Sequence, residues 1–170
     1  MNLKELLTDI RSGKEARLIA DAAIDQPEYL EELWRLATSD WDKAWRAAWV
    51  IDHMHQKNSN AVKGIVDRLP EAVLAVKKDG VLRHFLKIIS EFPIKENISG
   101  EFIDRCFDIF ESTSMPIAVR VHAMQILFEF SKVYPDLQNE LALLIEHHME
   151  EGSAGMKSRG KKILAALNKL

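Results

Sequence analysis

The chain has 170 residues, 47% of them hydrophobic and 29% charged, with a formal net charge of −3. That composition belongs to a folded globular protein, and it lacks the strongly basic balance of a general nucleic-acid binder. The first residues, MNLKELLTDIRSGKEARL, are charged throughout, unlike a signal peptide, and no run reaches the ~18–20 apolar residues of a membrane span.

Seven glycines and five prolines interrupt the chain, and strand-like alternation is scarce, so every element is expected to be helical. Leu3–Ile10 is the first amphipathic stretch. Ser12-x-x-Glu15 then reads as a helix start, a hydroxyl accepting from the exposed N–H groups of the first turn. Glu28–Thr38 is the next amphipathic stretch, followed by Ser39-x-x-Asp42 as a second such start before DWDKAWRAAWVIDHM. Within the third, Ala61–Val76, Pro70 is expected to kink or split a helix, because proline deletes a hydrogen bond and clashes with the preceding turn. Asp79–Gly80 opens DGVLRHFLKIISEF, and Pro93–Gly100 is the longest polar connector and the expected point of flexibility. Glu101–Glu111 leads, past Ser114, into Met115–Val133, where Pro116 suits a first helical turn and Val119, Ala123, Ile126, Leu127 and Phe130 recur at helical spacing. Leu137–Met149, Gly152–Ser153 and AGMKSRGKKILAAL complete the series.

The second member of each pair is self-similar. Arg120, Arg83 and Arg46 are separated by steps of 37, Arg17 lies 29 residues before Arg46, and Lys157 lies 37 after Arg120. A nearly constant period of this length marks a repeat protein. A helix, a short polar turn, then a helix carrying apolar–Arg–x–x–small resembles the HEAT repeat family, most closely at Pro116, Val119, Arg120, Ala123 and Leu127. The turn acid typical of that family is present as Asp40 or Asp42 and as Asp79, but is replaced around Ser112–Ser114, and Lys157 stands in place of arginine in the last copy. The resemblance implies an all-α fold, a right-handed α-α superhelix of about five hairpins forming a short solenoid and a single domain. The approximate units are 1–25, 26–57, 58–93, 94–134 and 135–170. The alignment places Arg17, Arg46, Arg83 and Arg120 in equivalent positions near repeat junctions, where a guanidinium binds a carboxylate or helix-end carbonyls of the adjacent unit.

Candidate chemistry is sparse. Four tryptophans fall within Trp34–Trp49; Trp45 and Trp49 align with the core columns of Val119 and Ala123, leaving Trp41 as the one expected to be exposed. Asp52-x-x-His55 and His147-x-x-Glu150 each offer two metal ligands at helical spacing, but no Glu-x-x-His pair accompanies them, so no metal is expected. Cys106, flanked by Phe102, Ile103, Phe107 and Phe110, reads as an inert core thiol. As the only cysteine it excludes an internal disulfide and points to a reducing compartment, with the cytoplasm as the default. No Gly-rich phosphate loop, nucleophile elbow, cysteine pair or H-E-x-x-H occurs, so neither a catalytic residue nor a cofactor is expected. Glu140–Glu151 holds four glutamates and no lysine or arginine, whereas Met156–Leu170 holds five cations and no acid. The plain reading is that two antiparallel helices of opposite sign help the hairpin close; the functional one is a basic edge for an anionic partner.

The expectation is a non-enzymatic protein-interaction scaffold or adaptor, with a protein or peptide partner such as an amphipathic helix, and with neither membrane nor nucleic acid as the leading partner. The candidate partner-binding residues, Trp41, Ile51, Met54, His84, Ile88, Met124 and Phe128, would form a groove apolar in the middle if exposed, and would be core if buried. The alternative is a HEAT-like nucleic-acid-binding protein, or a base-repair enzyme resembling the alkylpurine DNA glycosylases, using Trp41, Trp45, Asp52 and Arg46.

Overall fold

A computed structural model describes residues 2–95, 97–150 and 152–170, so Glu96 of the polar connector and Glu151 of the acidic run lie outside the described residues. Every regular element among the described residues is a helix. The chain divides into two compact units, one ending at Ile89 and the other running from Ser90.

The first unit begins with α1 (Leu3–Asp9) and α2 (Gly13–Ala23), then α3 (Pro27–Ala37) and α4 (Ala44–Lys57). The third leading stretch is broken as Pro70 requires, into a 3₁₀ turn (Ser59–Val62), α5 (Lys63–Val66) and α6 (Leu69–Ala75), with the proline in the first turn of α6. There its missing N–H has no helical partner to lose. Then follows α7 (Asp79–Ser90). The second unit holds α8 (Gly100–Glu111), α9 (Ile117–Val133), α10 (Leu137–Glu150) and α11 (Ala154–Leu167). Packing runs between α3 and α4 and between α2 and α4 in the first unit, and between α8 and α9, α10 and α11, and α9 and α11 in the second.

Short-range side-chain hydrogen bonds set several helix starts. Ser12 Oγ accepts from the Glu15 N–H at 3.3 Å, and the Glu15 carboxylate accepts from the Arg11 N–H at 2.6 Å. Ser99 and Ser153 cap α8 and α11 in the same way. Ser39 does not open α4 as expected. It donates to Leu36 O at 2.8 Å and accepts from the Trp41 N–H at 3.3 Å, closing the end of α3, while α4 begins five residues later at Ala44. Pro116 is the N-cap of α9, one residue before its first turn.

The register of α4, α7 and α9 differs from the arginine alignment, whereas α11 keeps its step of 37 from α9, with Val119, Ala123, Ile126 and Phe130 recurring as buried Met156, Gly160, Ile163 and Leu167. Buried residues Ala44, Ala47, Ala48, Val50 and Ile51 of α4 recur 38 positions on as Leu82, Phe85, Leu86, Ile88 and Ile89 of α7. Another 38 gives Arg120, Ala123, Met124, Ile126 and Leu127 of α9. Two steps of 38 differ from two of 37 by two residues, about 200° of helix rotation. That offset corrects two expectations. Trp45 and Trp49 are not core residues: Trp45 is 38% exposed and Trp49 half-buried. The buried indole is Trp34 of α3, stacked on Phe85 with ring centroids 5.4 Å apart.

Nor are the four arginines equivalent. Arg120 replaces Ala44 and Leu82 in the core column; it is 6% exposed and its Nε donates to Phe110 O, in the last turn of α8 of its own hairpin, at 2.8 Å. Arg46 reaches the end of the neighbouring hairpin's α1, donating to Leu7 O at 2.9 Å and Thr8 O at 2.6 Å. Arg17 and Arg83 are exposed. Trp34→Ala is expected to destabilise the fold by about 3–5 kcal/mol as a buried-aromatic truncation, and Trp45→Ala by no more than about 1–2 kcal/mol. Thermal melts of the two variants check the order, and equal losses would reverse the burial assignment.

Candidate functional site

Once Ala44, Ala47, Ala48 and Ile51 turn inward, the remaining arc of α4 carries Trp45, Trp49 and His53, one helical turn apart. The rings of Trp45 and Trp49 lie 5.8 Å apart, and those of Trp49 and His53 5.6 Å apart, forming a row along the helix. The Arg46 guanidinium lies 5.4 Å from the Trp45 ring centre, close enough for cation–π attraction. Two glycines admit neighbouring helices to this row. A Cβ on Gly80 would come within 2.7 Å of the Trp45 Cβ, and one on Gly13 within 3.4 Å of the Trp49 ring. By the same register Arg83 of α7 occupies the column of Trp45 and Lys87 that of Trp49; in α2, whose buried Ala16, Ala20 and Ala23 match Ala44, Ala48 and Ile51 28 positions on, Arg17 and Asp21 take those columns.

Ion pairs tie these helices together. Lys57 Nζ reaches Asp21 at 2.6 Å between α4 and α2, an exposed contact worth little on its own. Between α4 and α7 the link is buried. Asp52 is 3% exposed and accepts from Lys87 Nζ at 2.8 and 3.1 Å and from Gln56 Nε2 at 2.9 Å, with His84 Nδ1 2.9 Å from its other oxygen. Burial alone would raise the Asp52 pKa, but the hydrogen bonds from His84, Lys87 and Gln56 outweigh it and hold the carboxyl well below the usual carboxylate range. Burial lowers the His53 pKa, opposed by the Asp52 charge.

Of the proposed partner-binding residues, Ile51, Met54, Ile88 and Met124 are at most 1% exposed and Phe128 8%. They are core, so no open apolar groove is made from them. His84 remains half-buried as a partner of Asp52, and Trp41 is half-buried in the turn before α4, with the Lys4 ammonium 6.0 Å from its ring. Trp41 therefore does not share the helix face of Trp45 and Trp49. Cys106 is fully buried, and burial pushes its thiol far above the ordinary value, against weak opposition from Arg105. Among the described residues, no three His, Cys, Asp or Glu side chains converge as metal ligands. The Asp52–Lys87 link was missed from sequence because its partners lie 35 positions apart; the i, i+4 spacing of Trp45, Trp49 and His53 was the legible signal.

Antiparallel helix pairs whose second members repeat one burial pattern define a helical-repeat protein. A profile of the HEAT repeat domain matches residues 3–167, and the chain belongs to the HEAT repeat family. No curated protein and no solved structure matches it. Among the described residues no helix is long and apolar enough to cross a membrane.

Because the folded state depresses the Asp52 pKa, its stabilisation is complete above the unfolded value of about 3.9 and is lost as pH falls through the folded value. His53 is also depressed, as is His148 through burial and the nearby Arg120, so their contribution declines as pH falls below about 6.5. Asp52→Asn is expected to lower stability at pH 7 by about 2–3 kcal/mol, the scale of hydrogen bonds to a charged group. The gap from the parent chain should narrow steadily below about pH 4. Denaturant melts between pH 7 and pH 3 check this, and a constant gap would contradict the assigned charge state.

Proposed function

We propose that the chain is a non-enzymatic interaction scaffold that binds a partner polypeptide through the α2–α4–α7 face of its first unit. The carrying observation is the exposure of Trp45 beside Trp49 on a surface where Asp52, Lys87 and His84 already fix adjoining helices. Tryptophan and arginine dominate the energetics of protein interfaces, and a surface ordered in advance loses less entropy on binding. The flanking Arg17 and Arg83 supply a polar rim. The buried reduced thiol of Cys106 fits a cytoplasmic setting.

A second reading, nucleic-acid binding or base repair, draws support from the same tryptophans with Arg17, Arg83 and Lys87 around them, since stacked rings and cations suit single strands. Against a repair enzyme stands Asp52, whose two oxygens are engaged by Lys87, Gln56 and His84 in a buried site, an arrangement unlike a general base open to substrate. Trp45→Ala is expected to weaken capture of the cellular protein partner by about tenfold or more, as loss of a hot-spot side chain does, while lowering the melting temperature by no more than about 2–8 °C. Unchanged capture would refute the assigned surface, and binding of single-stranded DNA lost in the same variant would favour the second reading.

A further inference from the structure

In the second unit, α10 and α11 carry opposite charge yet do not pair. Their contact is apolar. Gly160 lets Met149 and Ile145 approach so closely that a Cβ would meet Met149 Sδ at 2.5 Å, and Met156, Ile163 and Leu167 complete the buried side of α11. Among the described residues, no acid reaches Lys157, Lys161, Lys162 or Lys169, all of which are exposed. Arg159 turns instead to α9, donating to Gln125 Oε1 at 2.8 Å. Electrostatic closure of the hairpin therefore does not account for the lysines. Crowding cations on one 14-residue helix without counter-charge carries a repulsive cost.

We propose that the lysine face of α11 docks an acidic polypeptide segment of a partner protein. The interspersed side chains, Ser158 and Ala165, are small and exposed, giving no apolar wedge of the kind a membrane-surface helix inserts. From Lys157 to Lys162 the face spans about 7.5 Å along the helix at 1.5 Å per residue, a footprint for a short segment. Elsewhere in this unit α8 carries four acids against one arginine, and α10 three acids and no lysine or arginine. A long polyanion such as nucleic acid would meet that acidic surface, whereas a short acidic segment need not. Lysine ammonium groups act as point charges, suited to scattered carboxylates. This surface is independent of the Trp45 face.

The test is fluorescence anisotropy of the full chain with a labelled 14-residue peptide of alternating glutamate and serine, beside single-stranded and duplex DNA of equal charge. The expected result is peptide binding that weakens as salt rises from about 50 to 300 mM. Reversal of Lys157, Lys161 and Lys162 to glutamate should weaken it by about tenfold or more, and their change to glutamine by less, the scale set by loss of several charge pairs. Reversing Lys14, Lys63 and Lys77, and separately Trp45→Ala, should leave it within about twofold. Helical content by circular dichroism confirms that each variant is folded. Absence of peptide binding, equal loss on reversing the control lysines, tighter DNA binding, or self-association that disappears with the α11 lysines would each overturn the proposal.

Discussion

The middle second helices, α4, α7 and α9, must bury a wide arc of their surface, and that constraint governs the rest. α9 presents apolar residues almost all round, with Val119, Ala123, Met124, Ile126, Leu127, Phe128 and Phe130 all buried, so no single partner helix can satisfy it. α4 meets the same demand with small residues, Ala44, Ala47 and Ala48, which let α2 and α3 approach closely. α7 meets it with larger ones, Leu82, Phe85 and Leu86, at the same positions of the pattern. Volume is thus redistributed from repeat to repeat while the buried arc is kept, as close-packed interiors require.

Three polar groups drawn toward that core, Arg120, Arg46 and Asp52, are tied to a backbone or a counter-charge. Arg120 takes a core position and binds the last turn of α8, supplying a donor to a carbonyl that a helix end leaves without one. Arg46 does so across to α1, assisted by Lys43 on Thr8 O at 3.2 Å. Asp52 joins α4 to α7 through Lys87 and His84. Breaking such a buried link strands a charge, which is costly even where the intact pair adds little net stability. Trp45 and Trp49 are left outward because the alanines of α4 take the inner arc, and the helices beside them are held by these links.

Much of this architecture was legible in the sequence. Helix positions followed from the apolar spacing, the Ser12 and Ser153 ends are short-range hydrogen-bond patterns, and Pro70 broke the third leading stretch as its chemistry demands, whereas the Ser99 cap of α8 went unread inside the polar connector. The family resemblance rested on the recurring helix pairs and their apolar–Arg–x–x–small pattern, most closely at Pro116, Val119, Arg120, Ala123 and Leu127. What failed was rotational register. Aligning on arginine equated Arg46 with Arg120, whereas burial equates Ala44 with Arg120 and Arg46 with His122. An amphipathic residue such as arginine can reach a helix end from more than one helix face, so it is a poor ruler. Two residues of error sufficed to send Trp45 inward on paper and Ile51 and Met54 outward. The site's ionic links were illegible because they join residues more than thirty positions apart.

The division between an inward aliphatic arc and an outward aromatic row is tested most directly by hydroxyl-radical footprinting of the native chain with residue-level mass spectrometry. Methionine and tryptophan react readily, so Met54 and Met124, at 1% and 0% exposure, should be protected while Trp45 is modified quickly. Rapid oxidation of Met54 and Met124 with protection of Trp45 would contradict the register and restore an apolar face on the second helices.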